Sequence, residues 1–296
     1  MSAGPEDDFT DLAPFTLSGE AQHVPFVMNS PHSGRHYPAR FLDLSRLDAS
    51  QIRRSEDCYV DQLFGGSVGL GIPLLAANFP RAYLDVNREP FELDPRMFTE
   101  SLPPFANARS PRVAGGLGTV PRLVGEGLDI YPGRLPLSEA LGRIERFYKP
   151  YHDALKALVM RTHIRFGFAV LIDCHSMPAS VRSGEAGRPD FIVGDRFGAS
   201  ASPVIVDEAV RLLAAMGYNV VRNKPYAGGF ITEHYGRPAK NLHAIQIEIN
   251  RGLYLDERSF KKTAGFARLA DDITRFMSEL SRLPDAMVDD MPIAAE

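Results

Sequence analysis

The sequence predicts an α/β fold built on a mixed, largely parallel sheet. Short apolar runs alternate with amphipathic helical patterns along most of the 296 residues. One of these runs, FAVLI (168–172), is apolar at every position, as a strand covered on both faces is. Polar residues of catalytic and metal-binding types gather where the strands end, and in open α/β sheets ligands sit beyond the carboxyl ends of strands.

The elements follow in order. VPFVMNS (24–30) reads as a strand, and SEDCYVDQLFGGSVGLG (55–71) as a helix closed by glycines. IPLLAANF (72–79) and AYLDVNR (82–88) read as two further strands. Residues 90–136 are rich in Pro and Gly and form a long irregular excursion, beside Arg88 in sequence and suited to a lid. Ser138 is the expected cap of a long amphipathic helix that Pro150 should kink. FAVLIDC then gives a buried strand, DFIVGD (190–195) a short one, SPVIVDEAVRLLAAMG (202–217) a helix and YNVVRN (218–223) a strand. HAIQIEINR (243–251) alternates Ile245, Ile247 and Ile249 with Gln246, Glu248 and Asn250, which is strand periodicity. A last helix covers about 257–282. The expected organisation is one domain over 23–283, with a flexible start at 1–22 and a tail at 284–296.

The totals exclude several classes. The formal net charge of −4 gives no pull toward nucleic acid or anionic membrane. No apolar run is long enough to span a bilayer, and the acidic start lacks the order of a signal peptide. Two cysteines, Cys58 and Cys174, make no disulfide framework, so the cytoplasm is the expected location.

Four strand exits bring PHSG (31–34), Asn87-Arg88, Asp173-Cys174-His175-Ser176 and Asn250-Arg251 to one edge of the sheet. His32 and His175 follow strands directly and are the best imidazole ligands for a catalytic metal. The carboxylate ligand is Glu56 or Asp57. Glu248 interrupts an apolar alternation; it is either a general base or one half of a buried ion pair with an arginine. Arg88 or Arg251 can grip a substrate carboxylate by a two-pronged pair, unless Arg88 is spent on Glu89, Glu92 or Asp94. Arg81 can do the same or polarise a carbonyl, and His234 lies in a loop that can reach the site. His23, His36, His152, His163 and His243 read as structural. Cys174 points away from His175 and reads as a small hydrophobe rather than a nucleophile.

Six segments in this order, NSPHSG (29–34), SEDCYVDQL (55–63), NFPRAYLDVNREP (78–90), LIDCHSMP (171–178), NKPYAGGFITEHYG (223–236) and IQIEINRGLY (245–254), resemble the N-formylglutamate amidohydrolases. The resemblance runs from about residue 24 to about 280. It implies a three-layer αβα fold distantly similar to zinc carboxypeptidases. It also implies one Zn2+ per chain, other divalent metals being possible, and release of formate from N-formyl-L-glutamate in histidine degradation. Matched by position, His32, Asp57 and His175 would hold the zinc, with Glu56 as the alternative to Asp57. Glu248 would be the base, Asn87 and Arg88 would hold the substrate carboxylate, and Arg81 or His234 would stabilise the oxyanion. Asp173 would orient a ligand. Ser55 and Cys58 depart from the acid and the aromatic often found around the metal aspartate. That departure leaves the exact substrate open, so one alternative is a zinc amidase for another N-acyl amino acid or peptide fragment; a second, of a different class, is a non-catalytic protein that binds a carboxylate ligand in the same cleft.

Overall fold

The computed structural model describes residues 12–19, 21–125 and 127–283. Of the ends expected to be loose, residues 1–11 and 284–296 lie outside the described residues, while Phe15–Ser18 forms strand β1. The chain continues through β2 (Phe26–Ser30), α1 (Ala39–Leu44), α2 (Val60–Gly65) and β3 (Leu74–Ala77). Next come α3 (Pro111–Ala114), a small hairpin of β4 (Leu123–Val124) and β5 (Leu128–Asp129), then α4 (Leu137–Arg143) and α5 (Lys149–Phe166). β6 (Ala169–Met177), β7 (Phe191–Gly194), α6 (Pro203–Ala215), β8 (Val220–Arg222), α7 (Phe230–Tyr235) and β9 (Leu242–Asn250) follow. A second hairpin, β10 (Leu255–Asp256) with β11 (Lys261–Lys262), precedes α8 (Gly265–Leu280).

Seven strands form one sheet in the order β1-β3-β2-β6-β9-β7-β8. β2 with β6, β6 with β9, and β7 with β8 are parallel, whereas β7 runs antiparallel to β9. The sheet is therefore mixed and mostly parallel, with helices around it, as the alternation of elements predicts.

Contacts gather the chain into two compact units. One holds the described residues up to Thr16 with Ser30–Cys58 and Leu75–Lys156; the other holds Leu17–Asn29, Tyr59–Leu74 and the chain from Ala157 on. In the second unit β6 and β9, nine residues each, are buried almost throughout. β6 is apolar through Ile172 because both of its faces are covered. Helix α8 buries Leu269, Ile273, Phe276, Met277 and Leu280, a stripe at helical spacing, and packs on α2 and α6. His243, on β9, accepts a hydrogen bond at Nδ1 from the Ser202 N–H, and burial lowers its pKa from 6.5 to about 4. Between those two values the unfolded chain takes up a proton that the folded chain refuses, so stability falls as acid is added through that window. His243→Gln should show a smaller loss in urea unfolding between about pH 7 and about pH 5, since an amide there does not titrate.

In the first unit Arg143 is fully buried. Its guanidinium carbon lies 4.0 Å from the Tyr83 ring centroid, and Nη1 donates to the Tyr83 carbonyl (3.1 Å) and to the Tyr131 hydroxyl (2.7 Å). This clamp fixes the segment that the sequence presents as a strand, AYLDVNR. The segment is instead a chain of turns: Tyr83 and Leu84 N–H donate back to the Pro80 carbonyl, and Asp85 N–H donates to Thr119. Alternating apolar residues 82, 84 and 86 imitate a strand because all three are buried, but the segment's backbone bonds go to a turn carbonyl at Pro80, to Thr119 and to the His152 side chain rather than to a neighbouring strand.

Three helix expectations also change. The helix expected from Ser55 begins at Val60, after a 3-10 turn at Gln51–Ser55. The helix expected from Ser138 begins at Leu137 after Pro136, and widens into a π-turn at Ile144–Tyr148 just before Pro150. Proline lacks an N–H and its ring crowds the carbonyl four residues back, and the wider turn relieves that crowding. The last helix starts at Gly265 rather than near 257, because β10 and β11 occupy the preceding residues. The 90–136 excursion contributes buried Leu93, Met97, Phe98, Val120, Ile130 and Tyr131 to its unit's core.

Candidate active site

Strand register decides which side chains share a face. Asn29 of β2 lies opposite Asp173 of β6, Asp173 opposite Gln246 of β9, and His175 opposite Glu248. Side chains at i and i+2 point the same way, so Asn29, Asp173, His175, Gln246 and Glu248 form one polar face inside an otherwise apolar sheet. All five are buried, which demands that each be paired. Asn29 Nδ2 donates to Asp173 Oδ1 at 2.7 Å. Asp173 Oδ2 lies 3.0 Å from His175 Nε2. Gln246 Nε2 donates to Glu248 Oε1 at 2.8 Å. The strand persists past His175, so Cys174 turns to the opposite face, buried, with its thiol on the Ile172 carbonyl.

Two residues beyond β2, His32 is 1% exposed. Its Nε2 lies 2.7 Å from Asp85 Oδ1, which turns Nδ1 toward Asp57 Oδ2 at 3.5 Å. The Asp57 N–H donates to the His32 carbonyl, fixing the distance between the two segments. Asp85 carries more. Its Oδ2 accepts from Arg81 Nε at 3.0 Å and lies 3.6 Å from Arg88 Nη2, and its Oδ1 also accepts the Asn87 N–H at 2.8 Å. Burial pushes the Asp85 pKa up, but Arg81, Arg88 and His32 together outweigh it and hold the carboxyl well below its ordinary value. Asp85 is therefore an anion that ties a candidate metal histidine to two candidate substrate arginines.

His32, Asp57 and His175 each offer one ligand atom, and these atoms lie within 4.8 Å of one another; all three residues are buried. The set suits a divalent cation. Two imidazoles and a carboxylate leave a fourth position open, as catalytic zinc sites do. Donors about 2 Å from a tetrahedral ion are about 3.3 Å apart, close to the separation of His32 and Asp57. Each histidine also has its second nitrogen on a carboxylate, Asp85 for His32 and Asp173 for His175, the arrangement that orients metal-bound imidazoles. Asp85→Asn should lower metal affinity about 10- to 100-fold while leaving the three ligands in place, measured by competition with a chelating dye.

Glu56 is turned away from this cluster. Arg53 grips it through Nε (2.9 Å) and Nη2 (3.0 Å), and the Tyr37 hydroxyl donates to it at 3.0 Å. Successive side chains on an extended backbone point apart, so Asp57, not Glu56, faces His32. Arg88 is buried and pairs with Asp85 rather than with Glu89, Glu92 or Asp94. Its other bonds go to the carbonyls of Leu117 (2.8 Å) and Asn87 (2.8 Å). Burial lowers its pKa, opposed chiefly by Asp85. Arg251, also buried, donates from Nε to Ser176 Oγ at 3.0 Å, next to His175. His234 is exposed on α7, with its ring stacked on Phe230 at 5.0 Å. His152 and His163 hold the carbonyls of Val86 and Lys240. Sequence reasoning missed the parts of Asp85, Gln246 and Asn29. The one available signal was the position of Asp85 two residues before Asn87.

The N-formylglutamate amidohydrolase family model matches residues 24–255. Two N-formylglutamate deformylases are similar to the chain. That of Pseudomonas putida is 32% identical over 248 residues, covering 81% of this chain and 85% of the relative. That of Pseudomonas aeruginosa is 32% identical over 261 residues, covering 86% and 89%. The crystal structure of an N-formylglutamate amidohydrolase from Ralstonia eutropha JMP134 superposes with a TM-score of 0.87 at 36% identity, covering 93% of this chain and all of that one.

Proposed function

The chain belongs to the N-formylglutamate amidohydrolase family, and from that premise we propose that it hydrolyses the N-formyl amide of N-formyl-L-glutamate to formate and L-glutamate. The buried His32–Asp57–His175 cluster is the observation that carries the chemistry. We assign it to zinc, for which two imidazoles and a carboxylate are a fitting set. When bound, zinc polarises a carbonyl and lowers the pKa of a coordinated water. Glu248, opposite His175 in the sheet, takes a proton from the attacking water at one carboxylate oxygen. It returns that proton to the departing amine nitrogen, so the carboxylate ends as it began. Arg81 donates to the oxygen that gains charge, and His234 is the other candidate for that task. Arg88 and Arg251 pair with the two carboxylates of the substrate, and Asn87 adds an amide donor. Asp85 holds the His32 ring in one orientation while this happens. A place in histidine degradation, in the cytoplasm, goes with this reading. No helix among the described residues is long and apolar enough to cross a membrane.

The test is formate release by the zinc-loaded protein on a panel of N-formyl-L-glutamate, other N-formyl and N-acetyl amino acids, and short N-acyl peptides. Preference for N-formyl-L-glutamate supports the proposal. Turnover of a different member alone moves the substrate to another acyl group or amino acid, the outcome for which Ser55 and Cys58 leave room. Binding of a carboxylate ligand without any turnover would make the protein a binding module instead.

A further inference from the structure

We infer that Gln246 is a positioning residue that sets the orientation of Glu248 and couples it to the glycine turn at Gly228-Gly229. The inference rests on Glu248 acting as the base.

The side chain of Gln246 is buried and has two bonds with opposite demands. Its Oε1 accepts the Gly229 N–H at 2.9 Å, and its Nε2 donates to Glu248 Oε1 at 2.8 Å. A backbone N–H can only donate, so the amide oxygen must face Gly229. The amide nitrogen is then left facing Glu248, which as a carboxylate can only accept. Exchanging O and N would set two donors against each other at Gly229 and two acceptors at Glu248. Each end thereby fixes the other.

The consequence for Glu248 is directional. A glutamate's terminal torsion is broad, and a lone buried carboxylate would sample several orientations. The bond from Gln246 to Oε1, at 2.8 Å, restricts that torsion. The glycine turn makes the contact possible. Gly228 sits at φ +123, and a Cβ there would meet Thr232 Oγ1 at 2.5 Å, so only glycine brings the Gly229 N–H this close to the sheet. The neighbouring strand takes part, since a Cβ on Gly194 of β7 would lie 2.7 Å from the Ala227 carbonyl carbon. The GG pair in YAGGF thus serves a side chain on the catalytic face.

Gln246→Glu keeps the acceptor for Gly229 and replaces the donor facing Glu248; Gln246→Met removes both. Both variants should lose about 10- to 100-fold in kcat, the scale of a hydrogen bond to a charged group, with KM and metal content little changed, while the melting temperature falls because a buried partner is lost. In a Glu248→Gln background the same substitutions should cost almost nothing more, because the group through which they act is gone. Equal losses in both backgrounds, or a change confined to KM, would overturn the inference. Crystal structures give a readout independent of turnover. Glu248 should occupy one rotamer in the unaltered protein and several, or another, in Gln246→Met. An unmoved Glu248 in the variant would defeat the inference whatever the substrate is. Absence of formate release from the unaltered protein would count against the substrate and not against this contact.

Discussion

Glu248→Gln is expected to lower the rate of formate release by about 10²- to 10⁴-fold, the range for removing a positioned general base. The substitution keeps the size of the side chain and the course of β9, but the amide cannot carry the proton from water to amine. Because Glu248 is not one of the three clustered donors, the variant should bind metal as well as the parent does. The measurement is steady-state formate production with metal content determined on the same sample. A loss in kcat with near-parental KM and full metal places Glu248 in proton transfer. Activity within a few-fold of the parent would remove it from that role and leave it as a buried carboxylate held by Gln246.

Replacing both His32 and His175 by Ala should abolish stoichiometric metal binding and, with it, activity. Two of the three clustered donors disappear, and a lone carboxylate cannot hold a divalent ion against water. Asp57 also loses the imidazole 3.5 Å away, and Asp85 and Asp173 lose theirs. Asp85 keeps Arg81 and Arg88, and Asp173 keeps Asn29, so a folded protein is still expected. Elemental analysis after dialysis reads the first effect, and circular dichroism checks the fold. Metal content that stays at the parental level in the double variant would refute the assignment of these histidines.

What the sequence disclosed depended on periodicity. The strands from 168 and from 243 were legible because burial on both faces, or a strict alternation, leaves a pattern that helices do not produce. His32 stood out because it follows a strand, and His175 because the apolar run ends just before it, although the strand itself runs on to Met177. The part played by Asp85 was hidden because its segment imitates a strand, and its partners Arg81 and His32 meet it through turns that no local pattern announces. Glu56 and Asp57 could not be told apart, since one residue of difference reverses the direction of a side chain on extended backbone. The grip of Arg53 on Glu56 and the approach of Asp57 to His32 distinguish them. The bond between Gln246 and Glu248 lies within one strand, but the glycine turn that fixes its sense comes from residues 17 positions earlier.

The two long neighbours β6 and β9 carry His175 and Glu248 on a ladder registered over nine residue pairs, from Ala169↔Leu242 to Met177↔Asn250. Amide protons in such a ladder exchange with solvent only when the larger structure opens, whereas those of turns exchange through small local openings. His175 and Glu248 are thus anchored where slow exchange is expected. Asn87 and Arg88, assigned to holding substrate, sit instead on buried turns held by side-chain bonds. A one-residue insertion or deletion within either of the two strands would shift every side chain beyond it to the wrong face.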